Sequence, residues 1–508
     1  MGKFDYIYKM KFVKMGQWAT PTADSENWHT EDSSYYFKKV FDLYKGSWAV
    51  ANLENGMTHI YFPKYFFNRL QKQIKRINKS GYKSLERKLR GFYQLQSLAK
   101  KEIPKLSVGN YSKLTIMQLV RLFRQNKDWT HRITIYDQFG WLAEEYLTDL
   151  MKRILVKYGV RVNSEEFHKV LFALTKPEKI STTLSEKRSI LQEAIAIKKG
   201  KSSLVSSSKK LANKYGWMPV FAYGEPWKSE HYKKEIEVII KKGVKKLNSE
   251  YKILKEYVKN RNKDFFEVVN KYQIKEKDQQ IFIDFGLALD ARNEVEYLVS
   301  FCGFYLRPIY NEITKRLYLS IKQLRNMREN EIVAALEGKI DPLKVLETKE
   351  GMLAWGFDRE MKNRFFLNGK EAKKFFIHLE KTVKNVQGNV EGKGVCASPG
   401  LVQGRAKITH YPSENDKVKN GDILITHATT VDYLPAMKRA AAFVTEIGGL
   451  TCHAAVVARE FNVPCIVSLK NATKNFKDGD LVEVDANKGV VKLILKNKII
   501  FHFNTRPY

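Results

Sequence analysis

The 508-residue sequence predicts a multidomain protein: a mainly α-helical N-terminal region, opening with a small β-containing segment, followed by a compact C-terminal domain of mixed strands and helices. Three observations carry this expectation. The length exceeds what one hydrophobic core organises, so about two to four domains are expected. From about Tyr65 the apolar residues recur at helical spacing. Beyond Gly394 they shorten to β-rich runs separated by Gly, Asn and Asp.

Composition narrows the class. Hydrophobic residues make up 44% and aromatic residues 12%, as in a globular protein. No apolar run approaches the roughly 18 residues that span a bilayer, so no membrane partner is expected. The start, Met1-Gly2-Lys3-Phe4-Asp5-Tyr6, leads into charged and aromatic residues rather than an apolar signal core, and a cytoplasmic location is expected. Cys302, Cys396, Cys452 and Cys465 form no Cys-x-x-Cys pair, so they read as reduced thiols, with neither a disulfide framework nor a metal site. The net charge is +34, and residues 391–508 carry roughly 16 basic and 11 acidic side chains, leaving about +29 on the first 390. The lysines run through nearly every helical stretch instead of forming one stripe. That describes a solvated surface, with a nucleic acid or another polyanion as the alternative partner.

Residues 1–65 form the small mixed segment. Ser47 to Leu53 and Met57 to Phe62 flank Asn55-Gly56, which supplies the positive φ of a tight hairpin turn. Trp18, Trp28 and Trp48 fall here as core side chains or as the lining of a cleft. Residues 66–385 form the helical region, a place to bind substrate or partner. Phe139, Leu142, Ala143, Tyr146, Leu147, Leu150, Met151 and Ile154 mark a long amphipathic helix with Glu144, Glu145 and Asp149 on its solvated face. Gly200 to Ser208 reads as an exposed loop. The stretch from Lys214 to Trp227, punctuated by Gly and Pro, excludes a long helix; its rings either wall a substrate pocket or fill the space between helices. Long helices resume over Tyr232–Tyr272 and about Asp290–Leu319, the second with a kink or break at Pro308. Residues 1–390 contain no internal repeat and no G-x-x-x-x-G-K-[ST] phosphate loop.

Residues 386–393, rich in Gly and Asn, read as a linker, and residues 394–500 as the C-terminal domain. Its expected strands are Leu401–Thr409, Ile423–Thr426, Ala442–Thr445, Cys465–Val467, Leu481–Asp485 and Val490–Leu495. Within it lies the stretch with the most chemistry, Gly448 to Glu460. Gly448 and Gly449 allow backbone N–H groups to turn toward an anion. Thr451 is a suitable N-cap for a helix whose buried face is Ala454, Val457, Ala458 and Phe461, ending near Asn462 before Pro464. His453 then sits in the first turn, where the helix dipole favours a neutral, nucleophilic imidazole and welcomes a phosphoryl group. A histidine that merely caps a surface helix is the plain alternative.

Residues 394–495 resemble the phosphohistidine, or swivelling β/β/α, domain of the phosphoenolpyruvate-utilising enzymes, a family that includes phosphoenolpyruvate synthase, pyruvate phosphate dikinase and rifampin phosphotransferase. The resemblance runs through Ala397-Ser398-Pro399-Gly400 with Gly404, then Asp422 to Thr426, Thr430 to Met437, Ala440 to Glu460 and Val463-Pro464-Cys465. Val431 stands where a proline is common between Thr430 and Asp432. The resemblance implies that His453 carries the phosphoryl group, that Gly448, Gly449, Thr451 and Cys452 surround its oxygens, and that Arg459, Thr430 and Asp432 have interdomain or auxiliary roles. Family members also carry an ATP-grasp domain and, in the synthases, a barrel for phosphoenolpyruvate; neither is evident here. The stretch from Arg292 to Gly338 resembles the central helical region of rifampin phosphotransferase-like proteins.

Two functions follow from these readings. In one, the chain is a phosphotransferase component, loaded from ATP or phosphoenolpyruvate with Mg2+ at the site of a separate ATP-grasp or phosphoenolpyruvate-binding partner, and delivering to an unknown small-molecule acceptor; no directly bound cofactor is evident in the sequence. In the other, it is a non-catalytic basic helical scaffold for nucleic acid or another polyanion, with a retained swivelling domain.

Overall fold

The computed structural model describes residues 12–18, 31–41, 47–52, 57–63, 68–69, 72–76, 84–162, 164–221, 224–349, 351–357, 364–382, 393–450 and 452–496. The chain divides into two compact units, one of residues 1–162 and 169–388, the other of residues 389–508 with the short segment 163–168. The expected linker, residues 386–393, lies outside the described residues except for Lys393, as do Trp28 and the side chains of Trp18 and Trp48. Among the described residues no helix is long and apolar enough to cross a membrane.

The first unit holds an antiparallel sheet and a helical body. Strands β1 (Phe12–Trp18), β2 (Ser47–Asn52), β3 (Met57–Pro63), β4 (Met352–Phe357) and β5 (Arg364–Asn368) are ordered β1-β3-β2-β4-β5. The β2–β3 hairpin forms as its Asn-Gly signal predicts, with Asn52 opposite Met57. Strands β4 and β5 correct the reading of residues 66–385 as helical throughout. Pairing of Ala49 with Trp355 joins the N-terminal hairpin to a strand about 300 residues later, and such pairing leaves no local signal. Tyr61, Phe365 and Leu367 pack on Phe375 and Leu379 of the helix Gly369–Thr382.

The helical body is organised by α1 (Ser84–Glu102), α2 (Ile116–Lys157), α3 (Thr182–Lys198), α4 (Leu204–Tyr215) and α5 (Glu276–Leu317). Thr115 and Gln118 form a reciprocal capping box that starts α2. Close packing of α2 on α5 needs Gly140, because a Cβ there would lie 2.9 Å from the Ala288 carbonyl oxygen. Glu144 is not on a solvated face: Arg292 Nη1 of α5 donates to it at 3.0 Å. Asp149 is exposed, and the Glu145 side chain lies outside the described residues.

Three further expectations change. Gly200 to Ser208 is not a loop throughout. Ser203 Oγ accepts from Ser206 N at 3.1 Å and caps α4, while Ser207 donates to Glu193 of α3 at 2.7 Å. Residues 232–272 make parts of three helices, Ser229–Ile240, Val244–Lys255 and Tyr257–Tyr272. Helix α5 begins at Glu276, not near Asp290, and runs unbroken through Pro308 to a left-handed Tyr318. One lost backbone hydrogen bond at the proline is outweighed by burial of Leu306, Ile309 and Ile313 against Leu119 and Phe123 of α2.

Asp290 is instead an interior residue of α5, accepting from the Tyr93 hydroxyl of α1. One turn on, Glu294 accepts from Thr182 N and Oγ1, each at 2.7 Å. One and a half turns earlier, Asp284 accepts from Gln280 Nε2 at 3.0 Å. In the aromatic stretch, Met218–Val220 form a buried 3-10 turn, and the Trp217 ring meets Phe301 edge to face.

The second unit is a seven-stranded sheet ordered β12-β11-β7-β8-β9-β10-β6. Its strands are β6 (Val395–Ser398), β7 (Leu401–Thr409), β8 (Ile423–Thr426), β9 (Ala442–Thr445), β10 (Cys465–Val467), β11 (Leu481–Asp485) and β12 (Val490–Leu495). The six expected strands appear with their expected bounds, and β6 is added. Strands β7 to β10 run parallel, while β6, β11 and β12 pair antiparallel. Ile423, Ile425, Ala442, Val444, Ile466, Val482 and Val484 form its core on one face.

Candidate functional site

The C-terminal ends of β8 and β9 meet the start of helix α6 (His453–Phe461), the position where parallel sheets present ligand sites. Ala454, Ala455, Val456, Val457 and Ala458 are all buried, which anchors α6 along its length. The helix closes as its sequence predicts. Asn462 adopts φ +55°, and Val463 N returns to the Ala458 carbonyl at 3.0 Å.

The start of α6 differs by one residue from expectation. Cys452, not Thr451, is the N-cap, with extended backbone angles and no side-chain cap bond; Thr451 lies outside the described residues. A thiol is a weak acceptor, so the first-turn N–H groups of Ala454 and Ala455 are not taken up by the capping side chain, as a serine or threonine there would do. Those groups and the helix dipole favour an anion at this end.

Of the glycine pair, Gly448 has the special conformation. Its φ is +119°, and a Cβ would lie 2.8 Å from Cys452 Sγ, so the turn requires glycine there. Its carbonyl accepts from Ser468 Oγ at 2.6 Å, and the Gly449 carbonyl accepts from Cys452 N at 3.2 Å. Arg459 reaches back along α6: Nε donates to the Ala455 carbonyl at 3.0 Å and Nη2 to the Leu450 carbonyl. It ties the helix to the glycine loop.

His453 itself is 5% exposed. Its Nδ1 lies 3.1 Å from Thr429 Oγ1, in the loop after β8. This partner was not identified from the sequence, which pointed to Thr430. The structure turns Thr430 away, to donate to Asp432 Oδ1. Burial pushes the Asp432 carboxyl up to about 6, against the hydrogen bonds from Thr430 and its own backbone. The Asp432 carbonyl also accepts from Asn415 Nδ2 at 2.7 Å. Two adjacent threonines at a strand end offer no local signal of which one faces the helix.

A histidine whose Nδ1–H donates to a hydroxyl carries its lone pair on Nε2. Thr429 Oγ1 can donate to or accept from Nδ1; in the Nδ1–H form the nucleophilic nitrogen beside the helix N-terminus is Nε2. Among the described residues no group of three or more His, Cys, Asp or Glu is placed to hold a metal ion.

Comparison with known proteins agrees with the geometry. Residues 418–489 match the family model of the PEP-utilising enzyme mobile domain. The probable phosphoenolpyruvate synthase of Archaeoglobus fulgidus is 51% identical over 112 residues, 22% of this chain and 15% of that protein. The phosphoenolpyruvate synthase of Pyrococcus furiosus is 52% identical over 111 residues, 21% of this chain and 14% of that protein. That of Escherichia coli is 38% identical over 111 residues, 22% and 14% of the two chains. The matched region thus spans about one seventh of these relatives. A solution structure titled Enzyme I overlaps 62% of this chain and 81% of its own at 15% identity, with a TM-score of 0.17, too low to assign a fold. The second unit therefore carries, over residues 418–489, a PEP-utilising enzyme mobile domain.

Proposed function

We propose that this chain is a phosphotransferase component in which His453 Nε2 holds the phosphoryl group in transit. The observation that carries the reading is the placement of His453: first residue of α6, almost fully buried, with Nδ1 against Thr429. In the loading step the Nε2 lone pair attacks phosphorus, an N–P bond forms, and the P–O bond to the donor's leaving group breaks. Delivery reverses this toward the acceptor oxygen. Catalysis of such steps is mainly positioning and charge stabilisation, which the Gly448 turn and the α6 N-terminus supply.

The loading site is assigned to a separate partner of ATP-grasp or phosphoenolpyruvate-binding type, where ATP or phosphoenolpyruvate and Mg2+ are held. A small molecule is the acceptor. Gly448, Gly449, Thr451 and Cys452 surround the phosphoryl oxygens, while Arg459, Thr430 and Asp432 shape the loops. The test is covalent. The protein is incubated with phosphoenolpyruvate, or with ATP and the candidate partner, and its intact mass is read before and after acid. An acid-labile phosphoryl adduct that His453→Ala abolishes supports the proposal, and absence of the adduct with every donor and partner rejects it.

A further inference from the structure

The loop that delivers Thr429 to His453 is itself held by a second histidine. His427 Nδ1 lies 2.8 Å from Glu446 Oε2, linking the first residue after β8 to the first after β9. The other oxygen, Glu446 Oε1, accepts from Thr473 N at 2.9 Å and Thr473 Oγ1 at 2.6 Å, on the short helix α7 (Ala472–Asn475). Burial alone would raise the Glu446 carboxyl, yet the hydrogen bonds from His427 and Thr473 bring it down to about 2. An ionised carboxylate only accepts, so the ring donates to it through Nδ1–H. Its Nε2 is buried without a hydrogen-bond partner among the described residues, so the Glu446 bond is what orients the ring.

Backbone bonds extend the same link. Glu446 N donates to the Thr426 carbonyl and Ile447 N to the His427 carbonyl, each at 3.1 Å, prolonging the β8–β9 pairing beyond both strands. Two residues past His427 stands Thr429; two residues past Glu446 stands Gly448. Both halves of the phosphoryl site therefore leave from this junction.

Building on the proposed role of His453, we infer that His427 and Glu446 form a positioning couple that holds the β8 and β9 loops in register, so that Thr429 meets Nδ1 of His453 and Nε2 remains the nucleophile. Neither residue touches the phosphoryl group. A ring fixed by a carboxylate is the device that orients histidines in metal and hydrolase sites, where removing the outer partner typically costs about 10- to 100-fold. Here the oriented ring serves a loop.

The test reads the tautomer of His453 by 15N–1H spectroscopy of the full chain labelled on histidine, with His453→Ala assigning the signal. The native protein is expected in a single Nδ1–H form. His427→Leu should mix the two tautomers and slow phosphorylation of His453 about 10-fold or more. His427→Asn, whose amide retains a donor near the Nδ1 position, should keep the native tautomer and most of the rate. A native tautomer and unchanged rate in folded His427→Leu overturn the couple. Should that variant not fold, Glu446→Gln carries the comparison, with an unchanged tautomer and rate again overturning it. The tautomer is read without any phosphoryl donor, so failure of the couple is distinguishable from failure of the proposed function.

Discussion

Two buried carboxylates, Asp284 in the helical unit and Glu446 in the second, are held in opposite ways. In the helical unit Asp284 is 2% exposed and burial pushes it up to about 7, the bond from Gln280 recovering only part of that cost. Asp290 is pushed up too, by burial first and then by the charge of neighbouring Glu294. Their donors are the neutral Gln280 amide and Tyr93 hydroxyl. In the second unit Glu446 meets a histidine and a backbone N–H as well as a hydroxyl, and stays ionised. A neutral buried acid contributes to packing, whereas an ionised one fixes the orientation of its donors. The second arrangement suits the proposed phosphoryl transfer.

That contrast is broken most directly at Gly448. Gly448→Ala puts a Cβ into Cys452 and strains a positive φ, so a loss of more than about 2 kcal/mol of stability is expected in the second unit, together with loss of the phosphoryl adduct. Chemical denaturation and intact mass check it; an alanine variant with native stability and full adduct would show that the turn is not required.

The pH dependences that Asp284 and Glu446 contribute should diverge. Asp284 has a folded pKa above its unfolded value, so its contribution is full below about pH 4 and is lost as pH rises through about 7, on the order of 4 kcal/mol. Glu446 has the reverse sign. Its contribution is present above about pH 4.5 and is lost as pH falls toward 2, on the order of 3 kcal/mol. All eight tryptophans lie in the helical unit, so their fluorescence on unfolding follows that unit alone. Asp284→Asn should flatten the fluorescence profile between pH 4 and 7, and Glu446→Gln should flatten the acid limb of amide exchange in residues 393–496. Profiles left unchanged by both substitutions would remove the contrast.

Smaller effects sharpen it. Thr429→Val keeps the shape and removes the hydroxyl, and phosphorylation of His453 should slow about 10-fold with stability changed by roughly 1 kcal/mol. Arg459→Met keeps the aliphatic cover of α6 but frees the Leu450 carbonyl; a loss of about 1 kcal/mol and a few-fold slower transfer are expected in denaturation and single-turnover measurements.

The units also differ in how far their sequences disclose them. Strands β7 to β12 are short apolar runs bounded by Gly, Asn and Asp, so pattern alone locates them, and α6 announces its end through Asn462 and Pro464. The helical unit hides its decisive features. Asp290 resembles a helix start because its partner, Tyr93, lies 197 residues away. Ser203 caps α4 within a serine-rich stretch that composition assigns to a loop. Strands β4 and β5 owe their existence to pairing with β2. Within the site, His453 and Gly448 follow from local backbone requirements, whereas Thr429, His427 and Glu446 are joined across strand ends, a relation that register sets and spacing does not.

The central claim concerns one atom. Treatment of the full chain with phosphoramidate, a small phosphoryl donor that needs no partner protein, followed by 31P and 15N spectroscopy, reads which histidine nitrogen carries phosphorus. The account predicts a single acid-labile adduct on Nε2 of His453, absent from His453→Ala and reduced in Thr429→Val. An adduct on Nδ1 of His453, or phosphorylation that spares His453 altogether, would contradict it.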